Sequence, residues 1–527
     1  MKKFLIKNAS LVDGTGSPSY IGSILIKDGR LAYVGPNLFS DDQALEIDAG
    51  GLYASPGFID MHSHSSLAYL DKPDITAKIN QGVTSEVIGV DGLSVYPIRE
   101  DHVRGWRTHL SGLEGNPQVD WSWRSLTDYV EKMSGTGTNP IPLVGHGNVR
   151  LHVMGMEQRT ATPKELDRMC GLLAECFEEG AWGLSTGLVY APCTYSNQEE
   201  MYALGRVVAK YDRFFVFHMR HEGPKVLDCI NEVAGIGKET GCKVHISHLK
   251  AMGKKAFGMA PRIIETIDNL RNSGIAMTAD QYPYTAASTM MPVILPPWVH
   301  AAGPAGMKRL LSSTESLDRI EEEMKTGYDD WESFSAAAGW ENIYVSSVAT
   351  EKNQWVVGKS LVNIGEKKGL RPFEVAMKLM LEEDFAVGMV FFVMDENDVS
   401  EIMKAPWVMF CTDGLLGGRP HPRTFASYPH ILVEYVRKRR TLALEDAIRK
   451  GTSLVAGTLE LKGRGSLKEG FAADVCVFDL ENLDQRANYD TPDVHPVGIK
   501  YVFNNGKPVI WDGSLAGNRP GRPLLRR

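Results

Sequence analysis

The stretch Ser55-Pro56-Gly57-Phe58-Ile59-Asp60-Met61-His62-Ser63-His64 decides how the chain is read. It holds a short apolar strand, Phe58-Ile59, running into two histidines one residue apart. Alternate side chains of a strand point to one side, so His62 and His64 can face a single pocket. Two neutral imidazoles at one strand end make half of a zinc site. The duller alternative is that either ring only caps a strand end, and the rest of the chain has to decide.

Outward from that stretch the text is of two kinds. Residues 1 to about 55 read as short strands and turns, with Phe4-Leu5-Ile6, then Ser23 to Ile26 before the turn Lys27-Asp28-Gly29, then Leu31 to Val34. The far end repeats the style in Asp474 to Asp479 and Tyr501 to Ile510. This predicts a small β-sandwich built from residues 1–55 and 441–527. Between about 56 and 440 strands alternate with amphipathic helices, for which Leu126 to Met133, Pro163 to Glu179, Glu199 to Tyr211, Val226 to Thr240 and Met259 to Ser273 are the candidates. Apolar runs starting near residues 58, 86, 142, 182, 214, 244, 276 and 408 bring the strand count to about eight. Alternation of this kind makes a parallel sheet, and the count predicts an α/β fold of the (β/α)₈ barrel type. One segment, at about 286–351, breaks the rhythm and is too long for an ordinary connection. It reads as an insertion, either a lid over the barrel mouth or surface padding.

Composition narrows the class. The chain has 527 residues, 43% hydrophobic and 23% charged, as an ordinary globular protein does. A net charge of −8 and a pI near 6.0 give no support for nucleic acid or an anionic membrane as partner. Seven cysteines without a Cys-x-x-Cys pair argue against a disulfide framework and for a reducing compartment. No apolar core long enough for a signal peptide follows Met1, and no uncharged run approaches the roughly 18 residues of a membrane span. A cytoplasmic enzyme acting on a small molecule is the expectation; the oligomeric state has no signature here.

In a parallel barrel the active site lies at the C-terminal ends of the strands. Read in order, those ends carry His62 and His64, then Asp91, then His218, then His248, then Asp413. Four histidines and two aspartates suit one or two zinc ions. By alternation His245 points away from His248 and reads as packing, and His221 fits less well. Glu86, in mid-strand, is either buried and functional or an exposed strand position.

The pattern of His-x-His after strand one, His on strands five and six and Asp on strand eight resembles the amidohydrolase superfamily. Within it the chain is similar to the N-acyl-D-amino-acid deacylases (D-aminoacylases). The matching text is SPGFIDMHSH, PLVGHGNVR, GLSTGLVYAP, HMRHEG, ISHLK, DQYPYTA and TDG followed by HPRTF, and it spans nearly the whole chain. The resemblance implies zinc-dependent hydrolysis of the acyl amide of an N-acyl-D-amino acid. It implies that His218 and His248 hold the tightly bound zinc, that His62, His64 and Asp413 line a second position, and that Asp413 is the general base. It also implies that Tyr190, Lys250, Tyr282 and Arg423 receive the substrate's α-carboxylate.

One departure stands out. D-aminoacylases commonly read Gly-Asn-Cys-Gly after strand two, with the cysteine on zinc, whereas this chain reads Gly89-Val90-Asp91-Gly92. Asp91 can ligate or bridge metal through oxygen, a harder ligand than thiolate; the alternative is that it caps a turn. There is no lysine in the strand near Trp182 to Leu188, so a carboxylated-lysine bridge has no candidate there. Two further readings stay open: an amidohydrolase for another C–N bond (an N-acyl-D-glutamate or D-aspartate, a D-dipeptide or a cyclic amide), and a metal-free scaffold. The carboxylate clamp favours an open-chain acid, because Arg423 and Lys250 would otherwise face no anion.

Overall fold

The computed structural model describes residues 2–36, 40–328 and 331–527. Residues 1 and 37–39 of the expected N-terminal β segment, and 329–330 of the expected insertion, lie outside the described residues.

The two ends of the chain share one nine-stranded sheet. Its hinge is Tyr53–Pro56, which pairs with Ser10 and Leu11 on one side and runs antiparallel to Val475–Phe478 on the other. This sheet keeps its own apolar core, in which Phe4, Ile24, Val475 and Phe503 are buried. The helices Leu444–Lys450 and Ser453–Thr458 pack instead on the strands Val408–Phe410 and Phe58–Asp60, so the terminal sheet proper resumes only at Val475.

The middle of the chain is parallel, as its alternation predicts. Phe58–Asp60, Val83–Ile88 and Asn139–Pro142 form one parallel set. Val144–Gly145, Gly183–Gly187, Phe214–His218, Lys243–Ile246, Met277–Gln281 and Val408–Phe410 form another. A short pair, Ser63–His64 with Gly414–Leu415, ties the last run back to the first. Strands covered on both faces read as unbroken apolar text. Phe214–His218 is buried at every position, and truncating Phe217 to alanine would cost about 3–5 kcal/mol in cavity and transfer terms. The intervening helices carry local instructions. Pro163–Glu178 starts with a reciprocal cap between Thr162 and Glu165 and buries Leu166, Met169, Leu173 and Phe177, a stripe at helical spacing.

The interruption runs further than the sequence suggests. Ala286–Met290 pairs with Gly388–Phe392, which also pairs with Ile343–Ser347. The expected insertion at 286–351 is therefore the first part of an excursion that returns only at Phe392. The reason is backbone satisfaction: a lone strand leaves its N–H and C=O groups unpaired, and the partner of Ala286–Met290 lies about a hundred residues on. No helix among the described residues is long and apolar enough to cross a membrane.

Candidate metal centre

All six strand-end residues singled out in the sequence meet in one buried cluster, none more than 6% exposed. His62 and His64 turn their rings together, with centroids 5.3 Å apart. Asp413 donates its main-chain N–H to the carbonyl of His62 at 2.9 Å, which stitches the eighth run to the first at the ligand positions. Three of these residues, Asp91, His248 and Asp413, have positive φ (57°, 35° and 46°). Such conformations cost energy in non-glycine residues and cluster at functional sites. The carbonyl oxygen of Asp91 also lies 2.3 Å from where a Cβ on Gly187 would sit, so only glycine admits this approach.

The distances show what the cluster is built for. His62 Nε2 and His64 Nε2 lie 3.6 and 3.4 Å from Asp413 Oδ1, and both lie 3.5 Å from Asp91 Oδ2. The other oxygen, Asp91 Oδ1, lies 3.6 Å from His218 Nδ1 and 3.5 Å from His248 Nε2. These gaps are long for hydrogen bonds. Atoms bound tetrahedrally to one zinc at its usual bond lengths sit roughly 3.3–3.4 Å apart. Both ring nitrogens of His62 and of His218, and Asp91 Oδ1, are buried without a hydrogen-bond partner. Orphaned buried polar atoms are costly, and cations held in the cluster would satisfy one nitrogen of each ring and Asp91 Oδ1. The residues present therefore fit one or two divalent metals, with the Asp91 carboxylate spanning the His62–His64 pair and the His218–His248 pair.

Asp91 is no helix cap. The next helical residues begin at Glu100, and no main-chain N–H among the described residues donates to its carboxylate. Burial disfavours its charge, but the imidazoles of His62, His248 and His218 outweigh burial and hold it well below the usual carboxylate range. Burial likewise opposes a charge on His64, yet the carboxylates of Asp413 and Asp91 facing it raise its pKa to about 9. Asp413 is also buried, and Arg423 beside it, then His62, keep it ionised far below its ordinary value.

The four expected substrate residues adjoin the cluster. Arg423, fully buried, sets Nη2 3.0 Å from Asp413 Oδ2 and donates from Nη2 to the carbonyl of Ser288 at 3.0 Å. Its Nε and Nη1 have no partner. Tyr282 lies between the two cations, with the Arg423 guanidinium 4.4 Å and the Lys250 ammonium 5.7 Å from its ring centroid. The Tyr190 ring packs 5.1 Å from that of His218, and its hydroxyl meets Thr289 Oγ1 at 2.9 Å. The argument that Arg423 and Lys250 would face no anion without substrate is overturned: Asp413 pairs with the first and Glu222 with the second, because a buried cation demands a counter-charge.

Glu222 is the residue the sequence reading missed. Its Oε1 accepts from Lys250 at 2.5 Å and lies 3.0 Å from His248 Nδ1. Lys250 Nζ also meets His248 Nδ1, at 2.7 Å, so Glu222 and Lys250 together hold the ring from behind and leave Nε2 facing Asp91. Its signal was present in HMRHEG, as a carboxylate four residues beyond His218. Asp280 was also missed: it accepts the His248 N–H at 2.7 Å and is itself held by His245 at 2.7 Å, which gives that packing histidine a task. Glu86 is fully buried, not exposed. It accepts from Ser63, Ser65, Tyr69 and Thr138, beneath the His62–His64 turn.

A family model described as the amidohydrolase family matches residues 45–281 and 350–510. An N-acyl-D-glutamate deacylase of Alcaligenes xylosoxydans xylosoxydans is 31% identical over 99% of this chain and 96% of its own. A D-aminoacylase of the same organism is 30% identical over 99% of this chain and 97% of its own. The crystal structure of an N-acyl-D-glutamate deacylase from Bordetella bronchiseptica, complexed with zinc and a phosphonate that mimics the tetrahedral intermediate, superposes with a TM-score of 0.85 at 30% identity, covering 100% of both chains.

Proposed function

The chain belongs to the amidohydrolase family, and from that premise we propose that it is a zinc-dependent deacylase, hydrolysing the amide of N-acyl-D-amino acids to a carboxylic acid and a free D-amino acid. The observation that carries this reading is the Asp91 carboxylate, one oxygen at 3.5 Å from each of His62 and His64 and the other at 3.6 and 3.5 Å from His218 and His248. His218, His248 and Asp91 would hold one zinc, and His62, His64, Asp413 and Asp91 a second. Zinc bound there supplies Lewis-acid polarisation of the amide and acidifies a water toward neutral pH.

The chain's own residues supply the rest. Arg423 Nε and Nη1 offer unpartnered donors to the α-carboxylate, and the Tyr282 ring, its centroid 4.4 Å from that guanidinium, helps hold it in place. Asp413 Oδ1, facing the His62–His64 pair, takes the proton of the attacking water and delivers it to the departing nitrogen. Arg423 holds the other oxygen of that carboxylate, so Asp413 cannot swing out of reach. Counted with Asn139–Pro142 and Val144–Gly145 as one run, the parallel segments make eight, and with the Ser63–His64 to Gly414–Leu415 tie they support a closed (β/α)₈ barrel with the cluster at its C-terminal mouth, while the separate apolar core kept by the terminal sheet supports an appended β-sandwich. Seven free thiols support a reducing, cytoplasmic setting.

The test is a screen of the purified protein, supplied with zinc, against N-acetyl-D- and N-acetyl-L-amino acids, with elemental analysis of the same preparation. Release of free D-amino acid alongside one to two metals per chain is expected. Hydrolysis confined to L substrates, or activity indifferent to chelators, would refute the reading.

A further inference from the structure

The relatives divide between acidic and general D-amino acids, and charge bookkeeping inside this site separates the two. Resting on the deacylase reading above, we propose that the substrate is an N-acyl-D-amino acid with a single carboxylate and an uncharged side chain, in preference to N-acyl-D-glutamate or N-acyl-D-aspartate.

Six cationic side chains are buried among the described residues: Lys78, Arg150, Lys250, Arg423, Lys450 and Arg464. Four are committed elsewhere. Lys78 is saturated by Asp60, Ser63 and Thr412 below the cluster. Arg150 binds Glu200, Lys450 binds the carbonyls of Ala405 and Val408, and Arg464 binds Asp474. Lys250 and Arg423 alone of the six reach the site, and each already has a carboxylate of the chain against it, Glu222 and Asp413. Arg423 keeps two unpartnered nitrogens, enough to receive one carboxylate. Arg220, two residues past His218 and partly buried, is the nearest rival. It is drawn off by Glu232 at 3.4 Å and by the carbonyls of Thr194 and Ser196.

The wall facing the clamp is neutral. Ser288 and Thr289 from the excursion close it on one side, through the Arg423 and Tyr190 contacts. Tyr282 and Met394 close it on another, hydroxyl to sulfur at 4.0 Å. His421, beside Tyr284 with ring centroids 5.0 Å apart, is kept uncharged by burial and by Arg423. Across this cluster the charged residues other than histidine include Asp91, Asp413, Glu222 and Asp280 against Lys250 and Arg423. A second substrate carboxylate would enter a site where, among the described residues, no buried side-chain cation remains to meet it beyond the two already paired, next to carboxylates already there, and an unpaired buried charge is strongly disfavoured.

Isosteric pairs test this on the full-length, zinc-loaded enzyme, because N-acetyl-D-glutamine and N-acetyl-D-glutamate differ in charge and hardly in shape. The same holds for the asparagine and aspartate pair. The expected result is a kcat/KM at least about 100-fold higher for each amide than for its acid, with N-acetyl-D-leucine and N-acetyl-D-methionine also ahead of both acids. Equal or faster turnover of the acids overturns the charge argument while leaving the deacylase reading intact. No turnover of any N-acyl-D-amino acid would take both down together.

Discussion

Removing the Asp91 carboxylate is the sharpest perturbation this structure allows. In Asp91→Ala the position lined by His218 Nδ1, His248 Nε2 and Asp91 Oδ1 falls from three ligand atoms to two, whereas the one lined by His62, His64, Asp413 and Asp91 Oδ2 falls from four to three. Catalytic zinc keeps three protein ligands, so the first position should fail and the second survive in weakened form. Withdrawing one partner from a buried ionic contact costs about 3–5 kcal/mol, which is a loss of between about 10²- and 10⁴-fold in affinity. The assay is metal content after dialysis against a defined free-zinc buffer, with turnover measured on the same sample. Asp91→Ala should lose about one metal and at least about 10²-fold in kcat, metal and rate falling together. Asp91→Cys should hold zinc more tightly, since thiolate is the softer ligand, and keep part of the activity. Asp91→Ser decides the matter: a serine there with full metal occupancy and a normal rate would show that the carboxylate is no ligand, and the bridging argument would be refuted.

Other residues give further tests. Asp413→Ala should lower kcat by about three orders of magnitude or more, and single-turnover rates near wild type would remove it from proton transfer. Arg423→Ala should cost about 2–4 kcal/mol of transition-state binding, in KM through the lost carboxylate contact and in kcat through the freed Asp413. Arg423→Lys should recover only part, and a substrate amide lacking the carboxylate that is cut as fast as the acid would defeat the clamp. Glu222→Gln leaves Lys250 without its anion and weakens the hold on His248 Nδ1; metal affinity should fall about 10- to 100-fold, and unchanged zinc retention would contradict that role. Glu332 caps the Glu222 N–H at 2.8 Å from the excursion, and burial pushes its pKa from 4.5 up to about 7. An acid raised in the folded state binds more protons there than when unfolded, so this group erodes stability as pH rises from about 4.5 to about 7, by on the order of 3 kcal/mol. Melting temperatures at pH 5 and pH 7.5 should therefore diverge more in the wild type than in Glu332→Gln, and parallel profiles would rule the contribution out.

Much of this protein was legible in one dimension. The two-residue repeat of a strand put His62 and His64 at one pocket, although the strand stops at Asp60 and a bend at Met61-His62 brings the rings together, and His218, His248 and Asp413 could be placed because apolar runs end where they stand. Those signals are local, and zinc's taste for imidazole and carboxylate is chemical, so neither needed coordinates. Helix Pro163–Glu178 was equally plain, from a capping pair and an apolar stripe. What the tertiary structure alone decided involves partners far apart in the chain. Asp91 could be read as cap or ligand until its two oxygens were seen between two histidine pairs contributed by three other strands. Arg423 and Lys250 read as cations waiting for substrate until Asp413 and Glu222 were found against them. The excursion seemed to end near residue 351 because nothing in its text announces that Ala286–Met290 finds its partner at Gly388–Phe392. A carboxylate's partner, like a strand's, is set by where folding brings the chain back, and buried charges take whichever counter-charge that return delivers.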